Sequence, residues 1–209
     1  IQAEAGIVMP HKDYLEKLRE RCNGTGALLI FDEVLTGFGR TGSLFGMTHF
    51  GVYPDIFTIA KGMGGGMPIG AFVSSKIIMD SLKANPGLGH ITTFGGHPVS
   101  AAAAHASLQV ILEEKLIDEI SAKGEKYMKE LYHPEIKSIW GTGLFIAVEL
   151  ENAATVSRTM KKLAENVIIT DQFIFKPAAF RIAPPLIINE KEIEESIHRV
   201  KKSLDNLKK

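Results

Sequence analysis

A single cysteine, Cys22, occurs in the 209 residues. No internal disulfide can brace the chain, which excludes the small disulfide-stapled classes. Neither sign of charge prevails, with 24 basic residues against 24 acidic ones. A neutral chain lacks the electrostatic footprint of a nucleic-acid binder, and no basic run is dense enough to suggest a membrane surface. No apolar run approaches the roughly 20 residues needed to cross a bilayer. Small-molecule chemistry is what remains. The amino end lacks the charged, apolar and cleavage segments of a secretory leader, so a reducing cytoplasm is the expected compartment. It also lacks an initiator methionine: Ile1-Gln2-Ala3-Glu4-Ala5-Gly6 begins as if inside a strand or its loop. The expectation is a chain cut from something longer.

Several catalytic signatures are missing as well. The glycine-rich segment from Gly62 to Gly70 contains neither G-x-G-x-x-G nor G-x-x-x-x-G-K-[ST], so dehydrogenase-like and P-loop readings lack their key glycines. The seven histidines include no His-x-x-x-His pair and have no partner cysteines, which argues against zinc. His97 and His105 read as structural. Ser43 does not sit in G-x-S-x-G, so there is no hydrolase elbow.

What is present is an alternation of helix and strand patterns. Pro10 opens an amphipathic stretch with Tyr14, Leu15, Leu18 and Cys22 on one side, closed by Asn23-Gly24. Short apolar runs follow at 27–31, 56–60 and 69–73, of the kind buried on both faces of a parallel sheet. Residues from Pro98 to about Glu113 read as a long helix with proline in its first turn. The first half is therefore helix and strand around a mostly parallel sheet. A second region starts near Leu116. It has a helix over 116–132, a strand over 143–150 and short strands at 167–170 and 180–183. Asn189 and Glu192 form a capping-box pattern ahead of the stripe Ile193, Ile197, Val200, Leu204, Leu207. The expected architecture is α/β for residues 1–115, followed by a small α+β unit over 116–209.

Lys61 and Asp32 are the residues with the most chemical content. Lys61 lies in Ile59-Ala60-Lys61-Gly62-Met63-Gly64-Gly65-Gly66 after one apolar run, and Asp32 ends another, 29 positions earlier. A lysine amine can carry a carbonyl as a Schiff base, and an aspartate can hold a heteroaromatic nitrogen protonated so that the ring withdraws electrons. At roughly 4 Å and an effective dielectric of about 20, that pair attracts by about 4 kcal/mol, enough to keep a weakly basic nitrogen charged.

The words around this pair, Phe31-Asp32-Glu33-Val34-Leu35-Thr36-Gly37-Phe38-Gly39-Arg40-Thr41-Gly42, Tyr53-Pro54-Asp55-Ile56, Ile59-Ala60-Lys61-Gly62 and Thr93-Phe94-Gly95-Gly96-His97-Pro98, resemble the class III aminotransferases. A weaker echo is Arg181-Ile182-Ala183-Pro184-Pro185-Leu186. The resemblance implies pyridoxal 5'-phosphate as cofactor and part of the fold type I large domain in residues 1–115, with the small carboxy-terminal domain in 116–209. It implies Lys61 as Schiff-base lysine and proton shuttle, Asp32 as the ring-nitrogen partner and Val34 against the ring face. Thr93 is implied as a contact to the phosphate of a neighbouring subunit, hence a homodimer. Arg181 is implied either to take a substrate carboxylate or to pair with a glutamate. Substrates would be a small-molecule amino donor and a 2-oxo acid, and the chain would be the carboxy-terminal half, awaiting an amino-terminal half that supplies the phosphate loop and much of the substrate pocket.

Leu35 departs from the pattern. Many ornithine-type members have glutamine there, and leucine cannot donate its hydrogen bond. Ornithine or acetylornithine as substrate is weakened accordingly. A mutase or decarboxylase would share the cofactor machinery, and a catalytically incomplete, dimerising fragment is the alternative from a different class.

Overall fold

Pro10 does not open the first helix. The fold, a computed structural model describing residues 1–87 and 89–208, starts α1 at Tyr14 and runs it to Thr25. The helix passes through Asn23 and Gly24 and ends where Gly26, at φ 72°, returns its N–H to the Cys22 carbonyl. A left-handed cap of this kind suits glycine, and Gly26 takes it because Gly24 remains helical.

The chain forms two compact units, Ile1–Pro10 with Gly39–Gly42 and Leu116–Lys209, and His11–Phe38 with Ser43–Lys115. The second of these holds strands β1 (Ile30–Asp32), β2 (Ile56–Ile59) and β3 (Ala71–Ser74) in the order β1-β2-β3. β1 and β2 are parallel, with Ile30 opposite Ile56 and Asp32 opposite Thr58. β3 returns antiparallel, with Ile59 opposite Ala71. Its connection carries only a 3-10 turn over Lys61–Gly64 and a run of glycines. Parallel return would need a crossover helix there.

The strands are not buried on both faces as their apolar runs suggested. Ile30 is 57 % exposed and Phe72 46 %. Helix α2 (Lys76–Asp80) is capped by Ser75, and α3 spans Pro98–Glu113, the bounds its sequence suggested.

The other unit contains β4 (Ser138–Thr142), β5 (Phe145–Glu149) and β6 (Ala179–Ile182), all antiparallel in sequence order. Helices α4 (Ile120–Glu130), α5 (Ala153–Glu165) and α6 (Glu190–Asp205) complete it. Ile146, Val148, Phe180, Ile193, Val200 and Leu204 share one core. Each fully buried side chain of this size stabilises by about 1.5–3 kcal/mol. The capping box forms as its pattern implied, with Asn189 accepting from Glu192 N at 3.0 Å and Glu192 accepting from Asn189 N at 2.9 Å.

The sequence pattern missed β4 and α5, and the strand expected over 167–170 is a loop. Two buried positions of α5 are Thr155 and Thr159, which thin its apolar stripe. Their hydroxyls are satisfied locally, Thr159 on the Thr155 carbonyl at 2.8 Å and Thr155 on Asn152 at 3.2 Å. β5 begins at Phe145 because Gly143, at φ 55°, makes the turn out of β4.

The segments far from Leu116 in sequence join this unit through specific bonds. Trp140 Nε1 donates to Gly6 O at 2.7 Å, and Arg40 Nη1 donates to Leu144 O at 3.1 Å and Pro184 O at 2.5 Å. Burial pushes the Arg40 guanidinium below its usual range.

Candidate active site

Asp32 closes β1, and the next residue continues the parallel register: Glu33 N donates to Thr58 O at 2.9 Å. Lys61 follows Thr58 by three positions along the adjacent strand's exit. Both residues therefore leave the parallel pair at its carboxyl edge, where open α/β sheets bind ligands. Both are exposed. Asp32 Oδ1 accepts from Val34 N at 2.9 Å, which fixes the carboxylate over the turn that follows it. Val34 and Leu35 are half-buried.

Lys61 has φ 50°, between extended Ala60 and the 3-10 turn it opens. A non-glycine residue there is strained by about 1–3 kcal/mol, and such strain concentrates at functional positions. The turn is held from two sides. Met63 N donates to Ala60 O at 3.1 Å, and Ser107 of α3 donates from Oγ to Gly62 O at 3.3 Å. A Cβ at Gly65 would come within 3.0 Å of Ser107 Cβ, so the glycine permits this approach. Among the described residues no carboxylate pairs with the Lys61 amine.

Thr93 is exposed in the bend that leads to α3. A Cβ at Gly95 would meet the Thr92 hydroxyl, which would have to turn aside, and Gly96 is left-handed at φ 68°. Arg181 belongs to the other unit, on β6. Its Nη2 donates to Glu4 Oε1 at 2.8 Å, and its guanidinium carbon lies 5.0 Å from the Phe173 ring centroid and 5.7 Å from that of Phe145. Arg181 Nε is buried with no hydrogen-bond partner.

The fold thus brings Asp32, Val34 and Lys61 to one sheet edge and sets Thr93 in the same unit. A carboxylate, an amine that no described acid neutralises and a hydroxyl suit an aldehyde-bearing aromatic phosphate. Sequence reasoning passed over Glu33, Arg40, Ser107 and the pairing of Glu4. Glu33 had a readable signal, an acid three positions before Thr36. The others depend on pairings with no local pattern.

Among the described residues no helix is long and apolar enough to cross a membrane, and no group of three or more His, Cys, Asp or Glu is placed to hold a metal.

The family described as Aminotransferase class-III matches residues 1–204. The chain is 38 % identical over 215 aligned residues to an acetylornithine aminotransferase of Methanocaldococcus jannaschii, covering 100 % of this chain and 52 % of that protein. It is 38 % identical to a putrescine aminotransferase of Pectobacterium atrosepticum, covering 100 % of this chain and 45 % of that one. Among solved structures, the ornithine aminotransferase of Toxoplasma gondii ME49 superposes with a TM-score of 0.89 at 36 % identity, over 100 % of this chain and 50 % of that one. A transaminase from the marine bacterium Virgibacillus gives a TM-score of 0.90 at 31 % identity, over 99 % and 51 %. The chain spans about half the length of the relatives it matches.

Proposed function

The chain belongs to the class III aminotransferases, a family whose cofactor is pyridoxal 5'-phosphate, and from that premise we propose that it carries the lysine half of an active site for transamination between an amine or amino acid and a 2-oxo acid. The observation that supports this most directly is the shared exit of Asp32 and Lys61 from the parallel pair β1–β2.

When bound, pyridoxal phosphate supplies an aldehyde that condenses with amines and a ring that withdraws electrons. With the cofactor in place, Asp32 would hold the proton on its ring nitrogen and Val34 would pack beside the ring. Lys61 would be the Schiff-base lysine, and its amine would move the proton at the substrate Cα as base and then as acid. Thr93 would contact the phosphate of a second copy, so the working protein would be a homodimer. Arg181 is the carboxylate contact. In this structure its Nη2 is bonded to Glu4, so taking a substrate carboxylate would require that ion pair to open. We take residues 1–115 as the end of the large cofactor domain and 116–209 as the small domain, with Ile1–Pro10 and Gly39–Gly42 grouping by contact with the latter. The single Cys22 fits a reducing cytoplasm.

A second reading is that residues 1–209 alone are catalytically incomplete. The exposed apolar surface favours it: Ile30 and Phe72 on the sheet, and Val99, Val110 and Leu112 on α3. A helix apolar on this many sides is normally covered.

The test is an absorbance spectrum with pyridoxal phosphate, then borohydride reduction and peptide mapping, run on this chain and on the full-length natural protein. A visible band and an adduct at Lys61, both lost in Lys61→Ala, support the assignment. Seeing them only in the full-length protein selects the second reading. Adducts scattered over surface lysines in both would sink the assignment of Lys61.

A further inference from the structure

Glu33 is 3 % exposed, and three donors converge on its carboxylate. Gly46 N donates to Oε2 at 2.8 Å, Thr36 Oγ1 donates to the same oxygen, and Met47 N donates to Oε1 at 2.7 Å. Among the described residues no cation pairs with it. Its backbone is held as firmly, with N on Thr58 O and O accepting from Gly37 N at 3.0 Å. A buried acid is costly unless its oxygens are satisfied, and here neutral donors do this alone.

The two amides belong to the 3-10 turn Gly46–His49, whose first N–H groups have no partner within the turn. Glu33 therefore ties the segment after Asp32 to that turn. A Cβ at Gly46 would lie 3.1 Å from both Glu33 Oε2 and Thr36 Cβ, a tight contact in which the neighbours would have to give by a few tenths of an ångström. Edge-on ring contacts close the same region, Phe38 with Phe45 at 5.9 Å and Phe45 with Phe57 at 5.3 Å.

Glu33 lies between Asp32 and Val34, whose N–H holds Asp32 Oδ1. Any rotation of the peptides on either side of Glu33 swings that N–H and releases the Asp32 carboxylate. We infer that Glu33 is a positioning residue. By anchoring to Gly46, Met47 and Thr36 it fixes the direction of the exposed Asp32 carboxylate, so that Asp32 meets a ring nitrogen without reorganising. The inference rests on the reading of Asp32 given above.

A plain core anchor would stabilise the fold without favouring one ligand atom, so the test compares two ligands that differ only at the ring nitrogen. Dissociation constants for pyridoxal phosphate and for its 1-deaza analogue, in which C–H replaces the nitrogen, are measured by fluorescence titration of the full-length natural protein. Glu33→Gln keeps the shape but turns an amide NH2 toward an N–H or O–H donor. It should weaken pyridoxal phosphate roughly tenfold while leaving the analogue within about twofold. Asp32→Asn is the control for the underlying reading and should discriminate in the same direction. If Asp32→Asn weakens both ligands alike, the assignment of Asp32 fails. If Asp32→Asn discriminates and Glu33→Gln does not, the inference about Glu33 is overturned while Asp32 stands. Should Glu33→Gln not fold, Thr36→Val decides, since it removes one donor and leaves both amides. A preferential loss of about threefold for pyridoxal phosphate supports the inference, and equal loss for both ligands overturns it.

Discussion

Arg181 and Glu4 are 177 positions apart in sequence, and they meet as an ion pair at 2.8 Å with Arg181 stacked near two phenylalanine rings. The arginine side chain is 12 % exposed. Removing the acid leaves a largely buried donor without its partner, which costs more than the net value of the bond. Glu4→Ala should destabilise by about 1–3 kcal/mol, and Glu4→Gln by less because it keeps an acceptor. Urea unfolding reads this as a lower midpoint at unchanged slope. Equal stability of Glu4→Ala and the parent would show that the rings alone hold Arg181.

Three glycines should respond to alanine in opposite directions. Gly143, at φ 55°, would place a Cβ 2.6 Å from the Thr41 carbonyl carbon, and a Cβ at Gly124 would strike the Gly143 carbonyl oxygen. Both neighbours are backbone and cannot step aside. Gly143→Ala and Gly124→Ala should each cost about 3 kcal/mol or more. Gly24 sits inside α1 with open space around it and no positive φ. Gly24→Ala should stabilise by about 0.5–1 kcal/mol. Thermal melts of the three variants check the order.

Acid should loosen the strand ends through two carboxylates. The Leu29 N–H at 2.7 Å, and then Arg19 at 2.8 Å, hold Asp55 below the usual carboxylate range. Glu149 is lowered by the Ser138 hydroxyl at 2.7 Å and by Lys176 at 3.1 Å. A depressed folded-state value means that the unfolded chain takes up protons first as pH falls. The stabilisation is complete above the ordinary carboxylate range and disappears as pH drops through the lower folded values. Urea midpoints between about pH 6 and pH 2 should fall less steeply in Asp55→Asn than in the parent. Parallel profiles would remove Asp55 from the acid response.

Local signals were legible wherever the chain's own neighbours decide the outcome. Pro98 at a helix start, the Asn189–Glu192 capping box and the stripe from Ile193 to Leu204 appear as their spacing implied. The placement of Asp32 and Lys61 at the carboxyl edge of β1 and β2 was readable because one ends and the other shortly follows an apolar run. The direction of β3 was not, since an apolar run looks alike in parallel and antiparallel sheets and only the missing crossover helix distinguishes them. Thr155 and Thr159 hid α5 by filling buried positions with hydroxyls whose bonds are local. Glu4 with Arg181, and Arg40 with Leu144 and Pro184, depend on backbone paths that no sequence window contains.

Lys61 offers a test in which stability and chemistry separate. Its φ of 50° is a conformation glycine adopts freely and lysine adopts at a cost of about 1–3 kcal/mol. Its amine has no acidic partner among the described residues, so truncation removes no ion pair. Lys61→Gly should therefore raise the melting temperature, by a few degrees per kcal/mol of relieved strain, offset in part by the greater freedom of glycine in the unfolded chain. Lys61→Ala removes the amine but keeps the strained backbone and should gain nothing. Both variants should lose the borohydride-stable adduct with pyridoxal phosphate. A glycine variant no more stable than the alanine one would mean that the turn from Ala60 to Gly64 does not strain its lysine, and that this position was kept for reach alone.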